Sequence, residues 1–137
     1  MLDFQDVRLA PNGKIYCIPR NSTSVLIIDP VTNTVDTTTI SGLSGVAKWR
    51  GGVLAPNGKI YGIPRDSSSV LIIDPLTNTA DTTTITGLTG NFKWYGGVLA
   101  PNGKIYGIPQ NSTSVLIINT GLPQIPLWML QPQFNKF

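Results

Sequence analysis

Leu54–Asp74 reads LAPNGKIYGIPRDSSSVLIID, and the same stretch opens at Leu9 and again at Leu99. Each copy starts 45 residues after the one before. Extended to its full period, the unit from Leu9 matches the unit from Leu54 at 35 of 45 positions. Over Leu54–Ile73 the third copy matches the second at 17 of 20. A fixed period in this range belongs to stacked solenoids or propeller blades.

The local chemistry divides one unit into four short strands. Trp49–Ala55 is the first, and Gly51 and Gly52 let it lie close to neighbouring backbones. Pro56-Asn57-Gly58 is a tight turn in which Pro sets φ and Gly takes the positive φ. Lys59–Ile63 is the second strand. Pro64 ends it, and a polar loop, Arg65–Ser68, follows. Ser69–Asp74 is the third strand, and its apolar run suits burial on both faces. After the turn Pro75–Asn78, Thr79–Ile85 is a polar, Thr-rich fourth strand of the kind expected at an outer edge. Gly87–Lys93 returns to the next first strand.

Four antiparallel strands per unit make a propeller blade. The expected fold is therefore all-β, with a four-stranded meander per 45-residue repeat. Blade 1 covers about 4–47 and blade 2 about 49–92. Blade 3, about 94–119, is incomplete, and a non-repeat tail covers 120–137. A β-solenoid is the structural rival, but its repeats are shorter and lack two tight turns each. The composition agrees with β structure: the 137 residues contain no Glu and no His, and Thr, Ser, Val, Ile, Gly and Pro dominate.

Ala55-Pro56-Asn57-Gly58-Lys59-Ile60-Tyr61 resembles the Pro-Asp-Gly-Lys-x-x-Tyr segment of the YVTN-type, WD40-like β-propeller repeat. Ser69–Asp74 resembles that repeat's Val-Ser-Val-Ile-Asp strand, and Thr77-Asn78-Thr79 resembles its Thr-Asn-Thr-Val. The resemblance covers copies one and two and the third up to Ile118. It implies a scaffold, with a cell-surface or secreted setting possible, and no inherited active site. The chain departs from the family in Gly-Ile-Pro and in the recurrent Lys-Trp-x-Gly-Gly before each blade.

Several function classes lose their chemistry here. Without His there is no Ser-His-Asp set, and one Cys without His makes no zinc site. No cofactor or metal is expected. The net charge of +3 is scattered rather than striped, against a nucleic-acid footprint. No apolar run reaches the ~18 residues of a membrane span, and Met1–Gly13 lacks a signal-peptide core. Asp29 and Asp74 stand at equivalent sites, as a carboxylate pair or, more simply, as Asp-Pro turn residues. Asn21-Ser22-Thr23 and Asn111-Ser112-Thr113 fit glycosylation sequons, and equally fit polar turns.

Blade topology brings the loop after strand two and the loop after strand four to one face. That groups Arg20 and Asn21 with Lys48, Trp49 and Arg50, and Arg65 and Asp66 with Lys93, Trp94 and Tyr95. Such a face suits a glycan, peptide or protein ligand. The alternative is that each Trp packs between blades, and Phe4 at the equivalent site of copy one favours it.

Propellers usually close with four to eight blades, so three blades predict a homo-oligomer: a dimer giving six blades or a trimer giving nine. Trp128, Met129, Leu130 and Phe134 offer a rival cover for an open edge. The function expected is a non-enzymatic binding scaffold. The alternatives are a lactonase- or lyase-like enzyme, or a truncated fragment without its own function. One codon choice for Leu122–Leu127, shifted two bases, reads Thr-Ala-Asp-Thr-Thr, the residues Thr79–Thr83, so the tail is expected to stem from a frameshift.

Overall fold

The computed structural model describes residues 3–121. The reading of the tail as an edge cap therefore lies outside the described residues. Eleven strands and no helix occur among those that are described. The first sheet is β1 (Phe4–Leu9), β2 (Ile15–Pro19), β3 (Leu26–Asp29) and β4 (Thr34–Asp36). The second is β5 (Trp49–Leu54), β6 (Ile60–Pro64), β7 (Leu71–Asp74) and β8 (Thr79–Asp81). The third is β9 (Trp94–Leu99), β10 (Lys104–Pro109) and β11 (Leu116–Asn119). Each sheet is an antiparallel meander in chain order, so the described residues form three propeller blades, the last with three strands.

The turns form as the residue types dictate. Asn57 Oδ1 accepts the Lys59 N–H at 3.0 Å, and Gly58 takes φ +82°. Asp29 and Asp74 accept the N–H of Val31 and Leu76 at 2.9 and 3.0 Å, so both serve the Asp-Pro turn. The fourth strand is shorter than the Thr79–Ile85 expected. Asp81 Oδ1 accepts N–H bonds from Thr83 (2.7 Å) and Thr84 (3.1 Å), and this Asx turn diverts the backbone after Asp81. The Thr84 hydroxyl and these donors hold the Asp81 carboxyl down to about 2. Thr39 and Thr38 do the same for Asp36. The third strand starts at Leu71 rather than Ser69, because the Ser69 N–H bonds Ser67 Oγ at 3.1 Å.

The first strand of each blade is innermost: β5 lies against both β1 and β9. Gly51 explains how. Its φ is +91°, at a bulge between the pairs Trp49↔Pro64 and Gly52↔Gly62, and a Cβ there would stand 2.8 Å from Gly96 Cα. Copy one breaks the pattern with Asp6, whose Oδ2 accepts the Gly52 N–H at 3.0 Å and so stitches β1 to β5.

The core is two apolar layers, each between adjacent blades. One contains Tyr16, Ile18, Val25, Ile27, Trp49, Ile60, Leu71 and Ile73. The other contains Tyr61, Ile63, Val70, Ile72, Trp94, Ile105, Leu116 and Ile118, which are the same positions moved on by 45 residues. Burying one Ile or Leu side chain contributes about 1.5–3 kcal/mol. No blade makes a core alone; the stability sits between neighbours, as in other repeat arrays.

The glycine geometry generates a test. Gly51→Ala is expected to cost about 2 kcal/mol or more, from left-handed strain plus the backbone contact with Gly96. Gly58→Ala has the same sign of φ but open space around it, and should cost about 1–2 kcal/mol. Urea unfolding of the two variants measures the difference, and equal losses would contradict the close approach of β5 and β9.

Candidate ligand-binding face

The loops after the second strands meet the return loops after the fourth strands, as the meander requires. Lys48 N–H bonds Arg20 O at 3.0 Å, and Lys48 O accepts the Arg65 N–H at 2.8 Å and the Ser67 N–H at 3.2 Å. One residue thus joins the loop of the first blade to that of the second. Lys93 repeats this between the second and third: it bonds Arg65 O and accepts from Gln110 and Ser112.

The lysine side chains finish the same joint. Lys48 is buried, and its Nζ donates to Ser22 O (2.8 Å), Gly45 O (2.9 Å) and Arg20 O (3.2 Å). Lys93 Nζ donates to Ser67 O, Gly90 O and Arg65 O at 2.7, 2.7 and 2.9 Å. All three ammonium protons are used in each case. Burial pushes both lysines below their ordinary value, with Asp3 and Asp66 respectively opposing the shift.

The tryptophans pack between the blades. Trp49 and Trp94 are only 2% and 5% exposed, and their indole N–H groups donate to Ser69 O and Ser114 O, both at 2.8 Å. Asn21 and Asp66 hold the return loops: their side chains accept the N–H of Ala47 (2.7 Å) and Phe92 (2.8 Å). Those two residues take positive φ, 49° and 52°. Arg20 turns to Asp3, with Nη1 3.2 Å from Oδ2, and its buried Nε has no partner among the described residues.

Arg50, Arg65 and Tyr95, none of them buried, take part in a different arrangement. The Arg50 guanidinium lies 4.0 Å from the Tyr95 ring centre, and its Nη2 donates to Tyr95 Oη at 2.5 Å. The Arg65 guanidinium lies 3.9 Å from the ring of Phe92, an exposed aromatic. Phe92 was not singled out from sequence. The equivalent residue in copy one is Ala47, so no recurrence marks it; its place next to Lys93 was the available signal. Arg50 and Tyr95 occupy one repeat position, held by Gln5 in copy one.

Two clefts lie beside these loops at repeat-equivalent places. One is lined by Leu43, Ser44, Trp49, Ser67, Ser69 and Thr82. The other includes Leu88, Thr89, Trp94, Ser112 and Ser114. Among the described residues no three His, Cys, Asp or Glu side chains cluster to hold a metal, and no helix is long and apolar enough to cross a membrane.

Comparison with known proteins agrees at the level of fold. No protein-family model matches the chain, and no curated protein matches it. Among solved structures it is similar to Kuenenia stuttgartiensis hydrazine synthase, at 18% identity and TM-score 0.60 over 84% of this chain and 32% of that one. It is similar to a catalytically inactive virginiamycin B lyase from Staphylococcus aureus with quinupristin: 10% identity, TM-score 0.60, 90% of this chain and 43% of that one. It is also similar to an auxiliary nutrient binding protein from Bacteroides ovatus: 15% identity, TM-score 0.63, 90% of this chain and 33% of that one. The chain spans about a third to two fifths of these proteins. The propeller neighbours and the stacked meanders together define the fold class: an all-β array of propeller blades, three of them among the described residues.

Replacing either buried lysine by Met keeps the stem and removes the donor: Ser22 O and Gly45 O, or Ser67 O and Gly90 O, lose the ammonium bond, while Arg20 O or Arg65 O keeps the lysine position's backbone N–H. Lys48→Met and Lys93→Met are each expected to destabilise the chain by about 1–3 kcal/mol. Thermal unfolding followed by circular dichroism measures it; unchanged midpoints would mean the ammonium groups do not hold the joint.

Proposed function

We propose that the chain is a non-enzymatic scaffold of YVTN-like repeats that binds a glycan, peptide or protein ligand on its loop face and completes its ring by self-association. The observation that carries this reading is the pair of guanidinium–aromatic stacks, Arg50 on Tyr95 and Arg65 on Phe92, displayed on a fixed frame. Planar cation–π surfaces suit sugars, peptide amides and acidic groups. In this division of labour Lys48, Lys93, Trp49, Trp94, Asn21 and Asp66 hold the frame, and Arg50, Arg65, Phe92 and Tyr95 meet the ligand. Arg20 sits at the margin with Asp3.

Differences between copies support it. The turns and outer strands are almost constant. The positions proposed to meet the ligand differ between copies, as Gln5, Arg50 and Tyr95 and as Ala47 and Phe92. A constant frame with a varied face is what a binding array needs. The similarity to a nutrient binding protein points the same way. The similarity to a lyase supports the second reading, a propeller enzyme acting on the loop face.

Titrating labelled protein with soluble oligosaccharides and extended peptides tests the two. Binding should shift the amides of Arg50, Arg65, Phe92 and Tyr95, and Arg50→Ala or Tyr95→Ala should weaken it about tenfold, the ~1.4 kcal/mol scale of one good contact. Leu76→Ala, in a turn at the opposite end of the blade, should change nothing. Shifts confined to Pro75–Asn78 would contradict the reading, and breakdown of the added ligand would favour the enzyme.

A further inference from the structure

Among the described residues, no blade covers the apolar face of the third blade, formed by β9, β10 and β11. Val98, Ile108, Val115 and Ile117 are 57%, 50%, 48% and 56% exposed. One repeat earlier, Val53, Ile63, Val70 and Ile72 are buried against the third blade. The opposite face of the first blade carries Phe4, Leu9, Ile15, Leu26 and Ile28. These are the repeat counterparts of Trp49, Leu54, Ile60, Leu71 and Ile73, which pack on the first blade. The chain therefore holds both halves of an interface that it already makes twice within itself.

We infer that the self-association proposed above runs head to tail: β9–β11 of one copy take β1–β3 of a second copy in the register of the internal blade contacts, with Ile108 opposite Val7. The two internal interfaces are the template for this third one. The contact is heterologous, so repetition of it makes a ring where the rotation closes.

The seam has a built-in defect. At both internal interfaces the residues facing the neighbour's isoleucine are glycines. A Cβ on Gly52 would meet Ile18 Cγ1 at 2.8 Å, and one on Gly97 would meet Ile63 Cδ1 at 3.1 Å. A Cβ on Gly62 or Gly107 would stand 3.5 Å from Cγ2 of the same two isoleucines. At the seam these positions are Val7, which is 51% exposed, and Cys17, which is already buried in the single chain, so it is Val7 that crowds Ile108 of the second copy. The extra atoms overfill a site that glycine keeps clear elsewhere. The seam is accordingly looser than the joints within the chain, and the copies exchange.

Sedimentation velocity of the full chain across a range of concentrations tests this. Wild type should show concentration-dependent assembly. Val7→Gly should lower the dissociation constant about tenfold. Ile108→Asp, at a site exposed in the single chain, should abolish assembly while its circular dichroism stays unchanged. Assembly that survives Ile108→Asp, or that Val7→Gly leaves unchanged, overturns the seam and leaves self-association standing. A single-chain mass for wild type and the glycine variant at every concentration overturns both, the result expected if the chain covers its own open face.

Discussion

A buried ammonium group must find acceptors, and the two among the described residues find them at the joints between blades. Lys48 and Lys93 each sit among three backbone carbonyls, drawn from the loop after the second strand and from the return loop three residues before the lysine. The main chain of the same lysine bonds the blade on either side. Removing the charge would leave carbonyls without partners, and moving one blade would leave the ammonium without them. This constraint fixes how successive blades meet on the loop face. The apolar layers beneath, with Trp49 and Trp94 at their edge, then follow in register.

The same joint explains why Lys-Trp-x-Gly-Gly recurs. The lysine closes the loops, the indole seals the layer and donates to a serine carbonyl, and the glycines allow inner strands to touch. Only the position between Trp and Gly is left free of this work. It varies most visibly, as Gln5, Arg50 and Tyr95. A frame that uses up most of its charged and aromatic residues in structure leaves a small set free for the proposed recognition, and that set includes the two stacked pairs.

The fold was legible because its signals are local and repeated: the 45-residue period, the Asn-Gly and Asp-Pro turns, and the apolar run of the third strand. The expected fourth strand ran too long because the Thr-rich segment looks extended, whereas Asp81 captures the following N–H groups. The face was legible as a place and not as a set of contacts. Lys and Trp both carry apolar bodies with polar tips, so their types do not say whether they face solvent or a joint. The acceptors of Lys48 are carbonyls, which leave no mark in sequence. Phe92 escaped because Ala47 breaks its recurrence.

The central claim is that stability lies between blades, so the second blade, covered on both faces, is the most stable part of the array. Native-state hydrogen exchange on dilute protein, where single chains prevail, measures this directly. The amides of Tyr61–Ile63 and Leu71–Ile73 should exchange more slowly than their counterparts in the first blade, Tyr16–Ile18 and Leu26–Ile28, and in the third, Tyr106–Ile108 and Leu116–Ile118. Equal protection in all three blades would contradict the account, because each blade would then be stable without its neighbours.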